Sequence, residues 1–110
     1  MIIKFILKNN DIIEYNKIEI DKITQESIML KNYFLHYKTI DYIYLDNIKK
    51  ETMLNIFEIL NGNDFSKFTK MELIDIINVS DFLDMSIILK DSIKYYVSNF
   101  ITETEIEFIL

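Results

Sequence analysis

Few side chains in this sequence could carry bond-making chemistry. The one histidine, His36, lies in Phe34-Leu-His-Tyr37, near the end of an expected helix. There a histidine more often serves the helix C-terminus or packs half-buried than acts as a base. Asp81 and Asp84 are spaced to neighbour one another on a helix, but two carboxylates without further ligands seldom hold a metal. The absence of Cys excludes thiol catalysis, zinc-thiolate sites and disulfides, and suits a reducing compartment. No nucleophile elbow, glycine-rich phosphate loop or His/carboxylate metal pattern occurs. Catalytic, cofactor-binding and metal-ligating residues are all expected to be absent, and the chain reads as a non-enzyme.

Binding chemistry is better represented. At about 100° per residue, Leu73, Ile76, Ile77, Ser80 and Asp84 fall on one side of a helix over Leu73–Met85, with Leu83 close by. Asp75, Asn78, Val79 and Phe82 fall on the other. The first stripe suits burial against a small core. The second sets a large aromatic and a Val among polar residues, where a solvent face would be mostly charged. Two arrangements satisfy that pattern: another helix of the chain covers Phe82, or a partner does.

The elements that position this helix follow from periodicity. Ile3, Phe5 and Leu7 alternate with Lys4, Ile6 and Lys8, a half-buried strand. Asn9-Asn10-Asp11 supplies turn residues tolerant of positive φ, and Ile12 to Tyr15 resumes β-type sequence, completing a hairpin. Ile23, Ser27, Leu30, Phe34 and Tyr37 have helical spacing, which predicts one helix near 24–36. Tyr42-Ile-Tyr-Leu45 reads as a third strand. Asp46 or Asn47 can cap a helix bearing Met53, Ile56, Phe57 and Leu60, with Gly62 as its left-handed stop. Asn61 to Lys70 is the one obvious loop. After Met85, Asp84 or Ser86 can cap a last long helix whose buried stripe would be Leu89, Ile93, Tyr96, Val97 and Phe100. Thr102-Glu-Thr-Glu105 matches a capping box, with Ile101 and Ile106 placed for a hydrophobic staple. The turn that follows carries Phe108, Ile109 and Leu110; so short a helix needs its own core or a partner surface to hold it.

Composition bounds the class. One hundred and ten residues, 50% apolar and 27% charged, suit a single folded domain over 1–110. A net charge of −6, with all 12 basic residues lysine, disfavours nucleic acid. No segment reaches the roughly 18 to 20 apolar residues that span a bilayer, so no membrane association is expected. Met1-Ile-Ile-Lys-Phe-Ile-Leu7 is broken at Lys4 and lacks a small-residue cleavage site, so it reads as a strand rather than a signal sequence. Abundant Ile, Asn, Lys, Tyr and Phe, with no Arg, Ala or Pro, point to A/T-rich coding, which suits a large DNA virus or a low-G/C eukaryote.

Four segments carry a family likeness: Ser27-Ile-Met-Leu-Lys-Asn-Tyr-Phe34, Tyr44-Leu-Asp-Asn-Ile48, Phe82-Leu-Asp-Met85 and Thr102-Glu-Thr-Glu-Ile-Glu-Phe-Ile-Leu110. In order, they resemble the first helix, the step after the third strand, the aromatic-Leu-Asp helix end and the carboxy-terminal extension of BTB/POZ proteins. The likeness is to the Skp-type and elongin C-type cullin adaptors in particular. The resemblance implies an α+β, BTB/POZ-like fold, with a small three-stranded sheet (the hairpin plus one strand) packed by about five helices. It implies that Asp81 and Phe82 face a cullin, with Asp75, Asn78 and Val79 on the same stripe. It implies that Ile101, Ile106, Phe108, Ile109 and Leu110 begin the surface that grips an F-box-type receptor. Three departures accompany it. The extension is expected to be truncated, since 102–110 supplies only its start. Asp81 stands where the family typically has Asn. The family's long acidic insertion is replaced by the short Asn61–Lys70 loop.

The leading expectation is therefore a non-catalytic adaptor, without cofactor, that bridges or mimics part of a cullin-RING ubiquitin ligase. It would act in the cytoplasm or nucleus, those of a host cell if the source is viral. The alternative is a self-associating BTB/POZ module, pairing with itself or another BTB protein without cullin binding. The start of the first strand near Met1 weighs mildly against the strand-exchanged type of homodimer.

Overall fold

The structure, a computed structural model, describes residues 2–37 and 41–101. Its strands are β1 (Ile2–Leu7), β2 (Ile12–Asn16) and β3 (Tyr42–Leu45); its helices are α1 (Lys17–Glu26), α2 (Ile28–His36), α3 (Lys50–Leu60), α4 (Lys70–Phe82) and α5 (Ser86–Phe100). The expected α+β architecture is present, with three strands and five α-helices among the described residues. None of the described helices is long and apolar enough to cross a membrane.

Strict alternation builds the sheet. Ile3, Phe5 and Leu7 of β1, Ile13 and Tyr15 of β2, and Ile43 and Leu45 of β3 all point into one core, while their neighbours face outward. β1 lies in the middle, antiparallel to β2 with Phe5 opposite Ile13, and parallel to β3 with Phe5 opposite Ile43. Asn9 and Asn10 turn the hairpin at φ 63° and 62°, and the Leu7 N–H donates to the Asp11 carbonyl at 2.7 Å. Asn accepts this left-handed geometry more readily than other non-glycine residues.

The expected single helix near 24–36 is two helices. Asn16 and Glu19 form a reciprocal capping box, both bonds 2.9 Å, which starts α1 directly after β2. At Ser27 the backbone turns extended, with φ −100° and ψ 106°, and the Ser27 hydroxyl caps α2 by accepting from the Leu30 N–H at 3.1 Å. This bend breaks the assumed stripe: Ser27 and Leu30 are fully buried, whereas Tyr37 is exposed.

Neither Asp46 nor Asn47 caps α3. Residues 45–48 form a turn, in which the Ile48 N–H donates to Leu45 at 3.0 Å and the Ile48 carbonyl accepts from Lys8 at 2.9 Å. This turn buries Ile48 in the core and delays the helix, so its N-cap is Lys49, without a side-chain acceptor. Gly62 ends α3 as expected, at φ 94°. Thr69 and Glu72 form a second capping box, so α4 begins at Lys70, inside the expected loop.

α4 and α5 pack on each other, and their buried stripes carry Ser80 and Ser92. Each serine hydroxyl donates to its own helix, to Ile77 and Leu89 respectively, both at 3.0 Å, so burial leaves neither unsatisfied. The expected α5 stripe is out of phase with the observed one. Ile88 and Ser92 are buried; Leu89, Tyr96 and Phe100 are half-buried; Ile93 and Val97 are exposed. Neither Asp84 nor Ser86 caps the helix, which starts instead from the fully buried Met85. Met85 fixes the rotation of α5, and three residues on, Ile88 points inward with it.

Candidate docking surface

The end of α4 is tied down on several sides. The Leu83 N–H donates to Val79 at 2.8 Å, the Met85 N–H to Ser80 at 2.8 Å and the Asp84 N–H to Asp81 at 3.1 Å. From across the fold, the Ser27 hydroxyl donates to the Leu83 carbonyl at 2.5 Å, and the Ile28 N–H donates to the Asp84 carbonyl at 3.2 Å. Leu83 and Met85 are both fully buried. Between them Asp84 turns left-handed at φ 54° and is exposed, not part of the buried stripe on which helical spacing placed it. Asp81 and Asp84 are therefore not stacked on one helix, and no group of three His, Cys, Asp or Glu suited to a metal ion occurs among the described residues.

Phe82 sits immediately before this clamp and is 49% exposed. Of the other residues on its stripe, Asn78 and Asp81 are exposed, while Asp75 and Val79 are half-buried. Val79 packs against the core, and the Asp75 carboxylate accepts from the Lys49 ammonium at 3.2 Å. Lys49 thus offsets one carboxylate of the stripe. No lysine among the described residues pairs with Asp81 or Asp84, so the rim around the ring stays acidic.

Of the receptor-type residues, only Ile101 is described; it follows α5 and is half-buried. Ile106, Phe108, Ile109 and Leu110, and the capping box at Thr102 to Glu105, lie outside the described residues. His36 closes α2, at the helix end where it was expected, and its side chain is exposed rather than half-buried.

Helical spacing around Phe82 did not reveal two further apolar side chains. Ile28 and Ile87, the second of them 61% exposed, lie in the first turns of α2 and α5, and the Ile28 N–H donates to the Asp84 carbonyl. Ile87 also lines a cavity of about 290 Å³ with Glu26, Ile59, Leu60, Ile88 and Asp91, where the ends of α1 and α3 meet the start of α5. No sequence signal brings these segments together, since they lie far apart along the chain.

No protein-family model matches this chain, and no curated protein sequence matches it either.

Proposed function

We propose that the chain is a non-catalytic protein-interaction adaptor of the Skp type, which bridges or mimics a cullin-RING ligase adaptor in the cytoplasm or nucleus. The observation that carries this reading is Phe82, half in water on a helix end that is fixed from both sides. An aromatic anchor with an uncharged flank, Asn78 and Val79, and an acidic rim, Asp81 and Asp84, fits a partner pocket that is apolar at its centre and basic around it. Asp75, already paired with Lys49, would contribute little, since exposed ion pairs are worth about 0.2–1 kcal/mol. The carboxy-terminal residues Ile101, Ile106, Phe108, Ile109 and Leu110 would supply the receptor side of the bridge.

The test is calorimetric binding to an amino-terminal cullin fragment. Phe82→Ala is expected to weaken binding by about 30-fold or more, the cost of truncating an interface anchor worth about 2 kcal/mol. Because the ring is half exposed, the same change should cost no more than about 1.5 kcal/mol of stability, against about 3–5 for a buried Phe. Asp81→Asn, which removes one carboxylate of the acidic rim, should weaken binding only modestly, and the difference should shrink as salt is raised. A wild-type chain that does not bind, or a Phe82→Ala variant that binds unchanged, refutes the adaptor reading.

A further inference from the structure

Among the described residues, nothing packs over the outer face of the sheet. The strands present their inner residues to the core, and the alternate residues face outward: Ile2, Lys4 and the half-buried Ile6 from β1, and Ile12, Glu14 and Asn16 from β2. From β3 come Tyr42 and Tyr44, whose rings meet edge to face at 5.3 Å. Ile12 is 47% and Tyr44 65% exposed. Among scattered exposed apolar residues this would need no explanation, but here they form adjoining rows on a single face. The face is neutral, with one lysine and one glutamate, although the chain carries −6. The rows are set by register. Ile6 lies opposite Ile12, and Lys4 opposite Glu14, with their charged groups 4.0 Å apart.

We propose that two copies of this chain stack through their open sheet faces, about a two-fold axis running along the strands between β1 and β2. Such an axis places each β1 over the β2 of the other copy. Lys4 of one copy then lies over Glu14 of the other, twice, and Ile6 lies over Ile12, twice. Tyr42 and Tyr44, on the far side of β1, overhang the β2 edge of the second copy. The face is self-complementary, as a closed two-fold interface requires. Aligned sheets pack about 10 Å apart with their strands rotated by about 30°. Lys4 and Glu14 form the middle pair of the β1–β2 register, at the pivot of that rotation, and are hardly displaced by it. Within one copy each of these charges is more than half exposed, so both have room for a second partner. A foreign acidic or basic partner would find no net charge to match on this face; a second copy finds both signs in register. The surface is small, three strands about 4.8 Å apart, well under the roughly 800 Å² per partner of a standard interface. The dimer is therefore weak and reversible. It uses no residue of the α4 surface, and it stands whether or not the adaptor reading does.

Sedimentation equilibrium of the full chain, from about 10 µM to about 1 mM, tests the proposal. The wild type should pass from monomer toward dimer across that range. Lys4→Glu and Glu14→Lys, each alone, should weaken association at least tenfold, because each sets like charges across the axis. An equimolar mixture of the two variants should recover dimer as a heterodimer, in which every cross-axis pair is again of opposite sign. Phe82→Ala should associate like the wild type. A wild type that stays monomeric, single variants that associate unchanged, or a mixture no better than its components overturns the proposal. Loss of the dimer in Phe82→Ala would place the interface at α4 and overturn it too.

Discussion

Ser27→Ala is the sharpest perturbation of the scaffold that holds Phe82. The Ser27 hydroxyl is fully buried and works in both directions, accepting from Leu30 N–H at 3.1 Å and donating to the Leu83 carbonyl at 2.5 Å. Alanine removes the cap of α2, which costs about 1 kcal/mol. It also strips a buried carbonyl of its donor, which costs about 1–3 kcal/mol more, because no water replaces the lost partner. The sum, about 2–4 kcal/mol, is a large share of the roughly 5–15 kcal/mol that holds a domain together. In a domain of this size it should lower Tm by roughly 8–17 °C. Urea unfolding followed by circular dichroism should show a lower midpoint at unchanged m. Native-state hydrogen exchange should speed at the Leu83 and Met85 amides. Ser66→Ala serves as the control: that hydroxyl makes an equally short bond, to Asp64, but in an exposed loop, so its loss should cost under about 1 kcal/mol. A Ser27→Ala cost below about 1 kcal/mol would show that the junction is not sealed, and the claim that it fixes the end of α4 would fall.

Two further perturbations test the electrostatics. Tyr15 is buried with its ring against Phe5, edge-on at 5.0 Å, and Phe57, stacked at 5.3 Å, and its hydroxyl has no hydrogen-bond partner among the described residues. Burial, and then the nearby Glu19 carboxylate, push the phenol pKa far above its ordinary value. Tyr15→Phe should therefore hold or raise stability, by about 1 kcal/mol, measured by urea unfolding at neutral pH. Because the folded pKa lies above the unfolded one, the contribution of the neutral phenol is complete below about pH 10. It is lost above that at up to about 1.4 kcal/mol per pH unit. Thermal melts to pH 11 should show this alkaline slope in the wild type and a flatter one in Tyr15→Phe; identical slopes would count against burial of the hydroxyl. At the other extreme, the Thr69 N–H and then the Thr69 hydroxyl hold the Glu72 carboxyl below the usual glutamate range. Its contribution is present above the ordinary glutamate pKa of about 4.3 and is lost as pH falls through the lower folded value. Thr69→Ala should cost about 1 kcal/mol at neutral pH through the lost cap. Glu72→Gln, which removes the titrating carboxyl itself, should flatten the acid limb of the Tm–pH curve, and an unaltered limb would refute the bond from the Thr69 N–H to this carboxylate.

The parts of the fold legible in the sequence are those dictated by local periodicity. β1, β2 and β3 alternate cleanly because one face of the sheet is wet, and Phe82 is exposed because helical rotation puts it opposite Leu73 and Ile76. Two helix starts carry local signals as well, Asn16 with Glu19 and Thr69 with Glu72, each an N-cap residue three before a glutamate. Other features had no local signal. Ser27 breaks a helix because Leu83, 56 residues away, offers it an acceptor. Asp84 turns left-handed because buried residues on both sides fix the chain. The phase of α5 is set by Met85 and by the small Ser92, whereas a search for apolar repeats prefers Leu89, Ile93 and Val97. That β3 joins β1 in parallel, rather than pairing beside β2, is likewise a tertiary choice.

These long-range ties also explain why Phe82 stays in water. Hydrophobicity alone would turn the ring inward, gaining on the order of 2 kcal/mol for full burial. Turning inward requires rotating the last turn of α4 about its axis. Leu83 and Met85 share that turn or follow it directly, and both are already fully buried. Rotation would expose two large side chains to bury one, and would break the bonds from Ser27 and Ile28 to the Leu83 and Asp84 carbonyls. The exposed state is therefore the lower one for the isolated chain, with the ring held on a fixed backbone. A fixed backbone also lowers the conformational entropy that binding must overcome, since only the two side-chain torsions of Phe82 remain to be ordered. If instead α4 frayed beyond Ser80, hydrogen exchange would be fast at Leu83 and Met85 in the wild type, and the ring would be exposed by disorder, with no such advantage to a partner.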